Sequence, residues 1–129
     1  MKYLSVPVIA AAMSLAPVAR PALAAGDAAQ GAHVALLCRA CHSLDPGRTI
    51  IGPSLHGLFG RKAGSLPDFS YSEAMKTAGA DGLVWNEETL TKYLTDPKSF
   101  IPGNKMAFLG ISDPARVADL IAYLKQATK

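Results

Sequence analysis

Cys38-Arg39-Ala40-Cys41-His42 decides how the rest of this chain is read. Two thiols three residues apart come to one edge of a helical turn, and a histidine follows directly. This C-x-x-C-H spacing is the signature of covalent c-type haem attachment, in which each thiol adds to a vinyl group and the histidine reaches the iron. Three other uses of the same residues compete. A thioredoxin-like redox pair requires a βαβ setting, and the surrounding sequence has no strand-like alternation. A structural zinc site requires four closed ligands, but the chain has only these two cysteines. A structural disulfide leaves the adjacent histidine without a role. Only haem attachment uses both thiols and the imidazole.

Upstream of the motif the composition changes sharply. Residues Met1–Ala24 hold 17 apolar residues and two charges, Lys2 and Arg20. Lys2, the apolar run Val6–Leu15 and the small residues Ala22-Leu23-Ala24 form the layout of a secretory signal peptide. Cleavage is expected after Ala24, giving a domain of residues 25–129 in an oxidising compartment, the periplasm. The apolar run is too short to span about 30 Å of hydrocarbon as a helix, so the mature chain is expected to lack a membrane span. Without Lys2 and Arg20, the remaining 11 basic and 10 acidic residues leave a net charge of +1. That balance argues against nucleic acid as a partner.

The mature segment reads as all-α. Asp27 and Gln30 give a capping-box pattern, and an apolar run follows to Leu37. Ser43–Gly64 contains five glycines and two prolines, hence a long loop. Tyr71–Ala78 is predicted as a short helix stopped by Gly79. Asn86 caps a helix over Glu87–Thr95, and Asp96-Pro97 ends it. Lys98–Ile111 is predicted as a second loop. Ser112 is expected to cap a final helix with Val117, Leu120, Ile121 and Leu124 on one face. Three main helices, one short helix and long loops bury little surface alone, so a large apolar cofactor is expected to supply the missing core.

The second axial position separates electron transfer from oxygen chemistry. Its candidates are Met75, Met106, His33 and His56. His33 reads as a surface residue, His56 lies close to His42 on the same side, and Met75 reads as core. Met106 follows Pro102-Gly103-Asn104-Lys105, a loop free to fold over the site, and this setting favours it. Its soft thioether would favour ferrous iron and raise the potential.

Across essentially all of residues 25–129 the chain resembles class I cytochromes c of the mitochondrial and bacterial c2 type. The resemblance rests on Cys38–His42, Gly52–Arg61, Phe69-Ser-Tyr71, Trp85, Tyr93-Leu94, Ile101–Met106 and Ala118–Leu124. It implies the class I fold, one haem c held by thioethers from Cys38 and Cys41, and axial ligation by His42 and Met106. The Pro53 carbonyl would orient His42. Tyr71 and Trp85 would meet a propionate, with Arg61 balancing its charge. Tyr93 would sit beside the Met106 sulfur, Asn104 stands where threonine is common, and Gly31 would mark the crossing of first and last helices. Met75 replaces the usual mitochondrial asparagine, and the Tyr71–Trp85 segment is longer, as suits a c2-like member.

The implied function is monomeric electron carriage in a respiratory or photosynthetic chain. A bc1-type complex would donate, and a reaction centre, oxidase or reductase would accept. The rival reading is a five-coordinate haem enzyme of peroxidase type, which would need an open distal site with acid–base groups. The resemblance also puts Arg39, Lys98 and Lys105 near the exposed haem edge, with Lys62 and Lys92 as outer members, and Lys98 and Lys105 are expected to steer an acidic partner patch to this face.

Overall fold

The structure, a computed structural model, describes residues 25–129; the expected export segment and its cleavage point lie outside the described residues. Among the described residues six helices occur in order: α1 (Ala28–Val34), α2 (Leu36–Arg39), α3 (Glu73–Ala80), α4 (Glu87–Thr95), α5 (Pro97–Phe100) and α6 (Pro114–Ala127). No strand forms among the described residues, and one isolated antiparallel bridge pairs Lys62 with Val84. The all-α expectation stands.

Asp27 caps α1 as expected, accepting the Ala29 and Gln30 amides at 2.8 and 3.3 Å. The reciprocal half of the capping box does not come from Gln30. The Asp27 amide instead donates to Asp119 Oδ1 at 2.7 Å, 92 residues away, tying the start of α1 to α6. The two helices cross where Gly31 meets the Asp119 carbonyl so closely that an added Cβ would sit 1.9 Å from that oxygen. Gly26 packs as tightly on Ala118. The expected Gly31 crossing is thus present, and it requires glycine. The first helix is not continuous to Leu37. It breaks at Ala35 and restarts as α2, whose tighter bonding (Cys38 and Arg39 amides both to the Ala35 carbonyl) turns Cys38 towards the interior.

Three further boundaries differ from expectation. Asp113, not Ser112, caps α6, because Pro114 occupies the first helical position and the preceding carboxylate reaches the Ala115 amide at 2.9 Å. α3 begins after Ser72, whose hydroxyl takes the Met75 amide, and runs through Gly79. Gly79 lies inside the helix because its α-carbon presses on the Ala63 carbonyl, where a Cβ would stand at 2.0 Å. Asp96 ends α4 and also caps the short α5 within the stretch expected to be loop, accepting from the Ser99 amide and hydroxyl. α4 matches its expected span, with the Asn86–Thr89 capping box complete.

The apolar face of α6 is buried as expected, with Val117, Leu120, Ile121 and Leu124 against α1 and α4. The remaining core continues through Leu90, Tyr93 and Leu94 of α4 to Trp85, Met75 and Leu58. Instead of closing on itself, this layer surrounds a cavity.

Candidate functional site

The cavity holds about 350 Å³ and its wall is overwhelmingly apolar. α2 and the turn after it contribute Cys38, Cys41 and His42. The 52–61 loop contributes Pro53 and Arg61, and α3 with its approach contributes Tyr71 and Met75. Trp85, Tyr93 and Met106 complete the set. Apart from Met75, which the sequence reads as core, these are nine of the ten site residues expected from the sequence, and they line one space. The tenth, Asn104, stands behind Met106 rather than on the wall. His56 is not among the lining residues and His33 is exposed, so neither approaches the position open to Met106 and Met75.

Each reactive side chain has an identifiable support. His42 Nδ1 lies 2.7 Å from the Pro53 carbonyl, so the neutral ring donates there and keeps Nε2 free as a ligand. Burial pulls the imidazole below its ordinary range, the Pro53 bond opposes this, and Arg61 adds to the lowering. The neutral ligand form is favoured on balance. Gly52 leaves room for the ring, since a Cβ there would come within 2.5 Å of His42 Cε1. Cys38 and Cys41 are free thiols, and burial together with the neighbouring Cys41 pushes Cys38 above its ordinary value.

Met106 is held at three points. Its amide donates to Asn104 Oδ1 at 3.0 Å, and its carbonyl accepts from Lys98 Nζ at 3.3 Å. Its sulfur lies 3.9 Å from the Tyr93 hydroxyl. Burial pushes the Tyr93 phenol up to about 12, so it remains a donor at any ordinary pH. Asn104 is fixed in turn, its Nδ2 donating to the Pro97 and Ile101 carbonyls at 2.8 and 2.9 Å. Trp85 stacks obliquely on Tyr93 with ring centroids 5.0 Å apart. Arg61 donates to the Ser54 and His56 carbonyls at 2.9 and 3.2 Å, which locks the guanidinium at the cavity edge. Tyr71 meets Phe69 edge-on at 4.8 Å.

Sequence reasoning missed two supports. The sequence alone reads Lys98 as a surface charge, yet it spans the loop to the Asn104 and Met106 carbonyls. Gly52 belongs to the Gly52–Arg61 stretch, but its contact with His42 cannot be read from spacing. Among the described residues no cluster of three or more His, Cys, Asp or Glu side chains could hold a separate metal. The donor set of paired thiols, oriented imidazole and braced thioether around an apolar cavity fits haem c and offers no closed zinc site.

No family model matches the chain. Individual relatives do. The chain is 55% identical over 89 residues to cytochrome c2 iso-2 of Magnetospirillum fulvum, covering 69% of this chain and 90% of that one. It is 47% identical over 116 residues to cytochrome c2 of Blastochloris viridis, covering 89% and 85% respectively. Cytochrome c of Cochliobolus lunatus is 49% identical over 106 residues, 81% of this chain and 95% of that relative. Among solved structures, cytochrome cH from Methylobacterium extorquens aligns with a TM-score of 0.70 at 44% identity, covering 78% of this chain and 98% of that one.

Proposed function

This chain belongs to the class I cytochrome c family of electron-transfer proteins, and from that membership we propose that it is a periplasmic, monomeric one-electron carrier with haem c bound through Cys38 and Cys41 and ligated by His42 and Met106. The observation that carries the reading is the meeting of both thiols, the Pro53-oriented imidazole and the Met106 thioether on one apolar cavity. Haem bound there supplies reversible one-electron exchange between ferrous and ferric iron. The chain's own part is to hold the surroundings still. Pro53 fixes the His42 ring, while Asn104, Lys98 and Tyr93 fix Met106, so little protein rearrangement opposes a change of charge. The apolar wall excludes water, which favours the less charged ferrous state and raises the potential.

Export and removal of residues 1–24 belong to the same reading, because the two thiols must meet haem outside the cytoplasm. A quinol-oxidising bc1-type donor and a reaction centre, oxidase or reductase as acceptor are the partners that the family membership suggests. The peroxidase-type alternative gains nothing from the site: apart from His42, no histidine among the described residues lines the cavity.

Expression with a cytochrome c maturation system tests the reading. The expected product begins at Ala25, keeps its haem through acid–acetone extraction and shows the weak near-red band of methionine-ligated ferric haem. An exported chain with a Cys38–Cys41 disulfide and no haem would refute it.

A further inference from the structure

α3 is set apart from the other helices. α1, α2, α4, α5 and α6 each pack on at least one neighbour, whereas among the described residues α3 packs on none. Its seat is backbone instead. Gly79 presses on the Ala63 carbonyl, and Gly64, at φ +65, faces the Met75 carbonyl, where a Cβ would stand at 3.0 Å. Residues 64–82 thus rest on one another, on the adjoining Ala63 and on the cavity that Phe69, Tyr71 and Met75 line.

A narrow neck joins this segment to the rest of the molecule. The Ala63 amide donates to the Leu83 carbonyl at 2.9 Å, and the Trp85 amide to the Arg61 carbonyl at 2.9 Å. Gly60 and Gly82 flank the neck with φ +89 and +100, and the space at their Cβ positions is open. Small residues at the ends of a segment absorb the backbone rotation of a hinge. At the far end, two side chains tie the segment to other loops. Thr49 Oγ1 donates to Asp68 Oδ2 at 2.8 Å, reaching across from the loop that leads to Pro53. Lys105 Nζ donates to the Ser70 carbonyl and lies 4.8 Å over the Phe69 ring. The braces of Met106, which are Asn104, Lys98 and Tyr93, all lie outside the segment.

Resting on the electron-carrier reading above, we propose that residues 64–82 form a flap that opens about the 60–63 and 83–85 neck when the Thr49–Asp68 and Lys105–Ser70 latches part, while Met106 keeps its place. A helix of 8 residues is not stable by itself in water, so α3 melts once it leaves its seat. Water then reaches the wall formed by Tyr71 and Met75. It stabilises the more charged ferric state, so the open form has the lower potential. The flap gives the carrier a second state of lower potential with both axial ligands unchanged.

Limited digestion of the holoprotein with trypsin tests this, because a cut inside a helix requires the open form and its rate follows the population of that form. The first internal cut is expected after Lys76, within α3, and the near-red methionine band should persist as the cut chain accumulates. Thr49→Val removes one hydrogen bond to a carboxylate and should speed this cut by about three- to tenfold. Thr49→Ser keeps the hydroxyl and should match wild type. Gly79→Ala, whose Cβ would stand 2.0 Å from the Ala63 carbonyl, should speed the cut further and lower the potential with the band intact.

First cuts after Lys98 or Lys105 would overturn the proposal, since the Met106 loop would then open before the flap. Loss of the band in step with the Lys76 cut would overturn it as well, by making flap and loop one unit. So would a Lys76 cut that Thr49→Val leaves at the wild-type rate, because the latch would then hold nothing. A wild-type chain that loads no haem, or loads it without the methionine band, removes the electron-carrier reading together with the flap. A wild-type holoprotein that shows the band and resists cutting at Lys76 removes only the flap.

Discussion

The Met106 amide donates to Asn104 Oδ1 at 3.0 Å, and the same asparagine reaches back to the Pro97 and Ile101 carbonyls. One buried side chain therefore sets both the loop and its sulfur. Asn104→Ala would leave the Met106 amide without a partner and remove one of the two bonds that each of the Pro97 and Ile101 carbonyls accepts, their backbone bonds from the Ile101 and Asn104 amides remaining. A loss of about 1–3 kcal/mol is expected from a urea titration of the holoprotein. The near-red methionine band should weaken in the same variant. A change below about 0.5 kcal/mol would mean that water replaces the amide without cost.

Met106→Ala should leave haem attached through Cys38 and Cys41 while the potential falls, because a soft ligand favouring the ferrous state is removed. Cyanide should then bind readily. Voltammetry and a cyanide titration provide the check, and an unaltered spectrum would transfer the ligand role to Met75, which lines the same cavity.

Two glycines of one loop should behave differently. Gly52→Ala places a Cβ within 2.5 Å of His42 Cε1, so the ring must turn and its bond to Pro53 must lengthen. The haem spectrum and the potential should both move. Gly57 has φ +70 and open space around its Cβ position. Gly57→Ala should cost about 1–2 kcal/mol of backbone strain and leave the spectrum alone.

Gly31→Ala drives a methyl group into the Asp119 carbonyl at 1.9 Å. Backbone lies on both sides of the contact, so no side chain can swing away. A loss of about 3 kcal/mol or more is expected, read as the shift of a guanidinium midpoint at constant slope.

The Asp96 carboxylate is held below its ordinary range by the Ser99 hydroxyl and then by backbone amides of the same turn. Its folded pKa lies below the unfolded one. Its contribution to stability is therefore complete above the unfolded value and disappears as pH falls through the folded value. Wild type should lose melting temperature over that acidic interval, and Asp96→Ala should start lower at neutral pH and lose less across it. Parallel curves for the two proteins would show that the cap carries no proton linkage.

The legible parts of the molecule are those in which local chemistry decides alone. The Asn86 cap and Thr89 box fix α4, and Val117, Leu120, Ile121 and Leu124 identify the buried face of α6 without reference to anything distant. Nine cavity residues were also within reach, because the C-x-x-C-H turn limits what the rest can be for. The misses share one cause. Gly79 looks like a helix stop until Ala63 is seen against it, and Gln30 looks like half of a capping box until Asp119 takes its place. Lys98 looks like a solvated charge until the 104–106 carbonyls fold back onto it. Partners far away in sequence or across a turn override a local pattern that is correct by itself.

The bond from Asp27 to Asp119 also sets an order of assembly. α1 has no seat until a residue 92 positions later has been delivered, and Gly31 finds its crossing only when α6 exists. For all that time Cys38 and Cys41, which follow α1 directly, belong to an open chain. The α1–α6 contact thus acts as a clasp that cannot shut before α6 is delivered, and until then it does not screen the thiols from an attachment enzyme.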